Sequence, residues 1–565
     1  MQTNETLPRL AQAGRGFSVF YRGKTLLSRV DPVKQTERAA LAALPLAENT
    51  LYLLPSPLLG YGIPLILQNM PESSCLLCVE ADAALAALSR EHIAEAASCS
   101  NGRFRLVHTE NPSAVVLFVS RTWGLRRFRR IAELRLTGGR QLNAAFYDAA
   151  ADILRQNLVT EWSNAMTLVK LGRLYIRNAI RNLGLLAECP GAESLDFGNA
   201  PMLALGAGPS LDGFLDGFER MPPETCRIIC VDTALRPLKE RGIKPNLVVA
   251  LEAQHWNLRD FAGMDGWKIP VAMDMSSLPA VSGLLGHETY LFWTRWTELS
   301  LFDRLLALEL LPVELPPLGS VGLSAVSLAL RLGSGPVFTA GMDFSFTIDS
   351  CHCRGSPPHG EILRRHTRFG GLYPTEAAFS PKNTATPTGD GVLLSTPAMT
   401  RYSSLFDDEF AGSGRVFAIE GGLPLAVPTL SREAAFREMR RAAAKAAAPA
   451  PARAAGGRGP EKAALLRSFI EGERKTLEEI LIILKGGGKA DRLESLLDSA
   501  DYLWAHFPDC AGAGGARPSA NDLGFLKRVR AEAGSFIKTW DMALSKLDLY
   551  PGNSIFNTDR PSRHT

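Results

Sequence analysis

The sequence contains no uninterrupted apolar run as long as the roughly 18 residues that a membrane-spanning helix needs. Its most apolar stretch, Leu51–Leu67, is interrupted by two early prolines and by a Gly-Tyr-Gly-Ile-Pro segment. The N-terminal residues Met1–Gly16 are polar and contain no apolar signal segment. We therefore expect a protein without a membrane span, located in the cytoplasm.

Cysteine is sparse and the net charge is small. Nine cysteines are scattered over 565 residues without a disulfide framework, which is typical of reduced cytoplasmic thiols. Cys75 and Cys78 have the spacing of a redox or zinc pair, but they lie in an apolar strand without a second pair, so buried thiols are favoured. The net charge of +4 argues against a nucleic-acid-binding protein. The arginine-rich segment 120–130 is interpreted accordingly as a solvated face with ion-paired arginines.

The length is too great for a single core and predicts several domains. Alternating strands and helices predict an α/β protein with parallel sheets, followed by helices near the C-terminus. The predicted divisions are a Rossmann-like α/β domain (1–140), linking helices (141–188), a central α/β domain (189–435), a flexible linker (436–461) and a helical bundle (462–565). In the first domain, the turn after the strand Thr50–Leu54 is degenerate, which favours a structural domain without its own ligand.

The rest of the chain is organised around the stretch Met202–Asp212. Four apolar residues predict a strand, Gly206-Ala207-Gly208 predicts a tight turn, and Pro209 and Ser210 precede a helix over Leu211–Phe218. A glycine turn that leads into a helix N-terminus can bind an anion, because free N–H groups and the helix dipole face the ligand. An ordinary strand-to-helix turn is the alternative.

The next two strands also end in polar residues. Arg227–Val231 is followed by Asp232 and Thr233, and Leu247–Leu251 is followed by Glu252. In an open parallel sheet these residues share the edge at which ligands bind. The sequence therefore predicts a ligand site there.

A second glycine-containing helix start lies further along the chain. Gly319-Ser320-Val321-Gly322 opens a helix that runs to about Leu332, and its N–H groups and hydroxyls predict another anion or nucleotide contact. Asp343 follows the strand Pro336–Thr339 and is expected at the same sheet edge as Ser210. A helix or turn cap is an equally good interpretation of Asp343.

The loop Ser350–Gly360 contains two histidines and two cysteines. Cys351, His352, Cys353 and His359 could bind zinc, but ligands at consecutive positions strain a tetrahedral site, so no metal site is predicted. A histidine that acts as a general base fits better, because its ordinary pKa is near neutral. His352 and His359 are both candidates, and an idle surface histidine is the alternative for one of them.

These motifs together resemble the bacterial motility accessory factors. The resemblance rests on Leu205–Leu211, Asp232–Leu235, Gly242–Val249, Gly319–Gly322 and Gly341–Asp343, and on the late Glu420-Gly421-Gly422. It implies a flagellin glycosyltransferase that transfers a nonulosonic (sialic-like) acid from a CMP-activated donor to Ser or Thr. The Gly-x-Gly-Pro-Ser and Gly-x-Asp-Phe elements also resemble a class of bacterial sialyltransferases, so the central domain is expected to be sialyltransferase-like.

The resemblance implies a role for each motif. Gly206, Gly208 and Ser210 would hold the nucleotide. The remaining donor-binding positions would be Asp232, Thr233, Glu252, Gly319, Ser320 and Gly322. The expected catalytic residues are His352, which fits better than His359, and Asp343.

Two other functions stay open. Archaeal hydroxymethylpterin pyrophosphokinases share the Gly-x-Gly-Pro-Ser core but need a carboxylate pair for Mg²⁺, whereas Leu251-Glu252-Ala253-Gln254 offers one carboxylate. Pyrophosphoryl transfer is therefore disfavoured, Mg²⁺ is possible but not required, and no cofactor is expected. A non-catalytic flagellin-binding assembly factor is the other alternative. The sequence leaves the oligomeric state open.

Overall fold

The structure is a computed structural model, and it describes residues 7–98, 102–286, 288–369, 379–389, 391–446, 460–488, 490–512 and 517–548. The chain divides into two compact units. Unit 1 comprises Met1–Gly172 with Trp504–Pro518, and unit 2 comprises Arg173–Leu503 with Ser519–Thr565. Most of the predicted linker, residues 447–459, lies outside the described residues. No helix among the described residues has the length and apolar character that crossing a bilayer would take.

Unit 1 combines an antiparallel meander with a parallel sheet. The meander strands are β1 (Arg9–Ala13), β2 (Gly16–Tyr21) and β3 (Lys24–Thr25). The sheet strands are β4 (Thr50–Pro55), β5 (Cys75–Glu80), β6 (Phe104–His108) and β7 (Arg130–Glu133). The helices are α1 (Pro32–Ala42), α2 (Ile63–Asn69), α3 (Ala83–Ser98), α4 (Pro112–Thr122) and α5 (Ala144–Thr167), together with a short helix Pro508–Gly512.

The strand order of the parallel sheet is β6-β5-β4-β7. Every residue of β4 and β5 is buried, as expected for strands that helices cover on both faces. Cys75 and Cys78 lie in β5 and are fully buried, in agreement with their interpretation as apolar thiols. In the arginine-rich segment, Arg126 forms an ion pair with Glu161 at 3.6 Å.

Unit 2 is built on a large sheet. The strands are β8 (Met202–Leu205), β9 (Arg227–Val231), β10 (Leu247–Ala250), β11 (Val271–Asp274), β12 (Thr289–Thr294), β13 (Glu314–Leu315), β14 (Val337–Ala340), a hairpin of β15 (Thr384–Thr388) and β16 (Gly391–Ser395), β17 (Val416–Ile419) and β18 (Thr429–Leu430). The helices are α6 (Arg173–Leu183), α7 (Leu211–Phe218), α8 (Leu235–Glu240), α9 (Leu258–Phe261), α10 (Ser300–Ala307), α11 (Val321–Leu332), α12 (Pro357–Arg365), α13 (Pro397–Phe410), α14 (Arg432–Ala443), α15 (Pro460–Ile483), α16 (Leu493–Ser499) and α17 (Leu523–Asp548).

The strand order of the large sheet is β13-β12-β11-β10-β9-β8-β14-β17-β18, and all its pairings are parallel. The chain adds strands on one side of β8 and then reverses to add β14, β17 and β18 on the other. The switch point, where open α/β sheets commonly bind ligands, therefore lies between β8 and β14. The predicted α/β fold class with parallel sheets is confirmed.

The C-terminal helices pack within both units. In unit 2, α17 packs against α15 and α6, and Tyr502 contacts the rings of Phe536 and Trp540. Arg304 of α10 donates to Glu473 at 2.7 Å. Trp504–Pro518 packs within unit 1, where the helix Pro508–Gly512 contacts α5. Removal of residues 462–565 would therefore expose buried side chains in each unit.

Candidate active site

The loops that follow the strands of unit 2 meet at the C-terminal edge of the sheet. The glycine turn after β8 lies directly against the loop after β14: the Gly206 N–H donates to Ala340 O at 2.9 Å and the Gly208 N–H donates to Gly341 O at 2.8 Å. A Cβ at Gly206 would lie 2.3 Å from Gly341 O, and one at Gly208 would lie 2.5 Å from the Asp343 carboxylate. Contact between the two loops therefore requires glycine at both positions, whatever else binds there.

Asp343 closes the N-terminus of α7. The Ser210 N–H donates to Asp343 Oδ2 at 2.8 Å, and the Ser210 hydroxyl donates to Oδ1. Burial raises the pKa of Asp343 to about 6, and the two hydrogen bonds from Ser210 act in the opposite direction. A carboxylate of the protein thus occupies the place at which the sequence predicts a ligand anion. Ser210 and Asp343, predicted separately as binding and catalytic residues, bind each other.

The loop after β17 packs over this pair. A Cβ at Gly421 would lie 2.2 Å from Ser210 Cβ, one at Gly422 would lie 2.3 Å from Asp343 Cα, and the Leu423 N–H donates to Asp343 O at 2.9 Å. A cavity of about 310 Å³ lies beside this loop. Its lining includes Thr339, Met342, Asp343, Glu420 and Thr429. The Glu420-Gly421-Gly422 motif therefore belongs to the switch point.

The second glycine loop leaves its helix start open. Gly319 has φ +70°, and Ser320 is extended and makes no side-chain capping bond to α11. The two glycine loops flank the same residue: Met342 Cγ lies 3.1 Å from a Cβ built at Gly206, and its Sδ lies 3.6 Å from one at Gly322. The sequence predicts that both glycine loops lie at one site. In the structure they lie on either side of Met342.

Asp232 and Thr233 form a buried polar group with residues that sequence reasoning missed. Asp232 accepts from the Thr233 N–H at 2.8 Å and from Asn257 Nδ2 at 2.6 Å, and Asn257 Nδ2 lies 3.5 Å from Asp260. Burial, with the nearby Asp232 charge, raises the pKa of Asp260 to about 7. Burial also raises the pKa of Asp232. Asn257 and Asp260 lie in and beside short helical turns without a glycine motif, so only their position after β10 could have suggested them.

Glu252 lies in a neighbouring group. Burial raises the pKa of Tyr175, and the charges of Glu252 and Asp274 contribute to that shift. The loops that follow β10 and β11 are held by Asn178 of α6, which donates to Ala253 O at 3.0 Å and to Ser276 O at 3.1 Å. Tyr175 and Asn178, which the sequence analysis did not single out, therefore bring α6 to the site.

An exposed aromatic pair also follows β10. His255 and Trp256 lie with their ring centroids 4.4 Å apart, and Trp256 is 63% exposed. Neither residue was predicted as part of the site. An exposed indole at the C-terminal edge of a parallel sheet can stack on a flat ligand group.

The histidine loop packs against the first glycine turn. The Cys353 N–H donates to Ala207 O at 3.0 Å, and Arg354 donates to Asp212 from its N–H at 3.1 Å and from Nε at 3.3 Å. Burial lowers the pKa of His352, and the positive charge of Arg259 and the neighbouring His359 add to this effect. A lowered pKa keeps His352 neutral near pH 7, as a general base requires.

His359 is held differently. Its Nδ1 accepts from the Gly355 N–H at 3.4 Å. Within the described ranges, no group of three or more histidine, cysteine or acidic side chains has a metal-binding arrangement. Of the two histidines, His352 is the one adjacent in sequence to Cys353, whose N–H donates to Ala207 O in the glycine turn.

Comparisons with known proteins match both the sequence and the fold. Residues 177–349 match the model of the 6-hydroxymethylpterin diphosphokinase MptE-like family. An uncharacterised protein of Treponema pallidum (strain Nichols) is 30% identical over 567 residues, covering 96% of both chains. The structure of the MAf glycosyltransferase from Magnetospirillum magneticum AMB-1 matches with a TM-score of 0.56 at 15% identity, over 96% of this chain and 93% of that one. The MptE-like region and the shared fold confirm the resemblance that the motifs indicated.

Proposed function

Because the chain belongs to the same family as the Treponema pallidum protein, with an MptE-like central region and the fold of a motility accessory factor glycosyltransferase, we propose that it is a glycosyltransferase. Its proposed donor is a CMP-activated nonulosonic acid, and its proposed acceptor is Ser or Thr of flagellin in the cytoplasm. The observation that carries the proposal is the meeting of two glycine loops and a histidine loop at one sheet edge.

The two helix starts support different roles in donor binding. The open start of α11, with Gly319, Ser320 and Gly322, offers first-turn N–H groups to the donor phosphate. The first turn, with Gly206, Gly208 and Ser210, is closed by Asp343, so its role is to shape the adjoining wall. Thr233 and Glu252 extend that wall with groups that can bind hydroxyls, and the buried Asp232 holds the Thr233 N–H.

Transfer needs one bond exchange and one proton movement. The acceptor hydroxyl oxygen forms a bond to the anomeric carbon while the bond from that carbon to the CMP phosphate breaks, and CMP leaves with the electron pair. His352 takes the hydroxyl proton, and the start of α11 stabilises the charge on the departing phosphate. No cofactor takes part in this scheme, and Mg²⁺ is compatible with it.

The MptE-like match and one feature of the site favour a second candidate. Asp232 and Asp260 lie on either side of Asn257, so the site contains a second carboxylate beyond those that the sequence analysis considered. A carboxylate pair suits Mg²⁺ and pyrophosphoryl transfer. If this second candidate is correct, the purified protein should consume ATP in the presence of Mg²⁺ and a hydroxymethylpterin and should not use CMP-sugars as donors.

Intact-mass analysis of flagellin from cells with and without this gene tests the acceptor and the sugar together. We expect a mass difference equal to a whole number of nonulosonic acid residues. An unchanged flagellin mass in cells without the gene would contradict the proposed transfer. If flagellin is still modified in cells that carry His352→Ala and in cells that carry Ser210→Ala, a non-catalytic assembly role would be favoured instead.

The paired variants His352→Ala and His359→Ala test the base. Loss of a general base lowers the rate by roughly 10²- to 10⁴-fold, which we expect for His352→Ala and not for His359→Ala. Since the pKa of His352 lies below its ordinary value of 6.5, the acid limb of the rate–pH profile should have its midpoint below pH 6.5. If His359→Ala instead lowers the rate more than His352→Ala does, His359 is the general base.

We also propose that the C-terminal helices, residues 462–565, bind flagellin, since a protein acceptor needs a docking surface. A deletion cannot test it, because Tyr502 and Trp540 are fully buried in unit 2. Substitution of exposed apolar side chains, such as Ile482→Asp and Met542→Asp, leaves the packing intact. We expect weaker flagellin binding with unchanged CMP binding, and equal flagellin binding would contradict a role for these positions.

A further inference from the structure

The strand β1 forms an open edge of the antiparallel meander in unit 1. The strand order is β1-β2-β3, so β1 pairs with β2 alone. Residues 9–12 are exposed, and only Ala13 at the end of the strand is buried. An edge strand of this kind presents unpaired backbone groups, to which another strand can add.

Two hydrogen bonds on the far side of β2 fix the pairing pattern of the hairpin. Val19 O accepts from the Leu26 N–H at 2.8 Å. The Phe17 N–H donates to the Tyr61 hydroxyl at 2.8 Å. Val19 and Phe17 therefore direct their backbone groups away from β1. Because bonded and non-bonded pairs alternate along an antiparallel ladder, β2 bonds to β1 through the residues that lie between and beside these two.

The same alternation assigns the backbone groups of β1. Leu10 lies opposite Val19 and Gln12 lies opposite Phe17, so neither Leu10 nor Gln12 bonds to β2. Their N–H and C=O groups point to the open edge, where no hydrogen bond to another described residue involves them. Pro8, two residues before Leu10, has no N–H. The donors on the open edge are therefore those of Leu10 and Gln12.

This edge has little protection against pairing. Edge strands are commonly protected by proline, by charged side chains or by a bulge. Over Arg9–Ala13, β1 contains no proline and one charged residue, Arg9, whose side chain lies on the opposite face from that of Leu10. In the exposed hairpin of unit 2, by comparison, Pro387 interrupts β15.

We propose that the open edge of β1 binds the β1 strand of a second copy of this chain in an antiparallel arrangement. With a two-fold axis at Ala11, each Leu10 lies opposite the partner's Gln12, so two pairs form with two N–H···O bonds each. Ala11 then lies opposite the partner's Ala11 in a non-bonded pair, where the Cα atoms approach to about 4.5 Å and a small side chain fits. Arg9 lies opposite the partner's Ala13. A parallel arrangement in register would instead place the two arginines side by side, which is unfavourable.

The arrangement also continues the apolar layer of unit 1. Val19 is fully buried, and Leu10 beside it on the same face is 42% exposed. In the pair, Leu10 and the partner's Leu10 are diagonal neighbours, so each covers part of the other. The contact is small for a specific interface, and we expect a concentration-dependent dimer. It does not require that unit 2 transfer sugar.

Sedimentation velocity of the full chain over a concentration series tests the proposal. We expect the wild-type protein to shift from monomer to dimer as its concentration rises. Gln12→Pro removes an outward N–H and leaves the ladder to β2 intact, so it should raise the dimer Kd by about tenfold or more. Gln12→Ala keeps the N–H and should behave as the wild-type protein does. Thermal melts check that each variant is folded.

Position 11 tests the register of the pair. Ala11→Lys and Ala11→Glu each place like charges opposite one another at the two-fold axis, and each should raise the dimer Kd by about fivefold or more. An equal mixture of the two variants brings opposite charges together and should restore the dimer. Dimers that persist in Gln12→Pro, or a mixture that stays monomeric, would overturn the proposal. A wild-type protein that is monomeric throughout the series would also overturn it and leave the edge to a different chain.

Discussion

The two glycine-containing helix starts of unit 2 share a sequence pattern and differ in structure. At α7 the Asp343 carboxylate accepts from Ser210, and the start is closed. At α11 Ser320 makes no capping bond, and the start is open. The difference arises because β14 lies next to β8 in the sheet, which brings the loop that carries Asp343 onto the first turn. The same local motif can thus support the fold at one position and offer a ligand site at another.

Converting the open start into a closed one should have the largest effect. Ser320→Asp places a carboxylate at the N-cap of α11, where it can cap the helix and repel a phosphate. We expect CMP affinity to fall by roughly 100-fold, as a lost charged contact of about 2–3 kcal/mol implies, with stability equal or slightly higher. Calorimetry with CMP and a thermal melt measure the two quantities. Ser320→Asn is the neutral control, and equal losses in both variants would argue against an electrostatic cause.

A methyl group added at each glycine turn should give opposite results. A Cβ at Gly208 would lie 2.5 Å from Asp343 Oδ2, whereas one at Gly322 would lie 3.6 Å from Met342 Sδ, an ordinary contact. We expect Gly208→Ala to lower the free energy of unfolding by about 1–3 kcal/mol, as overpacking does. Gly322→Ala lies in a helix and should raise it by up to about 1 kcal/mol. Denaturant titrations measure both, and equal changes would show that the first turn is not tightly packed.

Removing the carboxylate from the closed start should change the pH dependence of stability. The folded pKa of Asp343 is about 6, above its ordinary 3.8, so between these values the folded state holds a proton that the unfolded chain has lost. Stability therefore falls as the pH rises from 4 to 6, and Asp343→Asn should flatten this part of the profile. Thermal melts from pH 4 to pH 8 measure it.

Asp260→Asn is the matched control for that measurement. Its carboxyl has a pKa of about 7, so this variant should instead change the part of the profile that reaches pH 7. If the stability of Asp343→Asn varies with pH in the same way as that of the wild-type protein, ionisation of Asp343 does not contribute to the pH dependence of stability. These shifts are the smallest of the expected effects, since other buried carboxyls also contribute to the slope.

Much of the secondary structure could be read from local patterns. The predicted helix Leu211–Phe218 and the strand Arg227–Val231 agree with the structure at both ends. The long helical stretch after Asn143 is interrupted by a π-helical turn and forms α5 and α6. Within the predicted helical bundle, the pattern over Arg492–Phe507 predicts one helix, whereas α16 ends at Ser499 and a 3-10 turn follows. Element boundaries are weakly specified when tertiary contacts override local propensity.

The candidate site was only partly accessible to the same reasoning. Glycine turns and residues at strand ends predict Gly208, Ser320 and Asp232 as site residues, because backbone conformation and sheet topology constrain the local sequence. No such constraint marks Asn257 and Tyr175. Their position at the site depends on how the turn after β10 and helix α6 pack in the folded chain, and residue spacing in the sequence does not predict that packing.

Local sequence was therefore sufficient for much of the secondary structure of unit 2 and for the edge at which its loops gather, since these follow from periodicity and from the handedness of parallel crossovers. The chain fold alone decided which helix start would be filled by a side chain of the protein and which would stay accessible. Asp343 is 133 residues from Ser210 along the chain, and an interaction over that separation is set by sheet order rather than by any local preference.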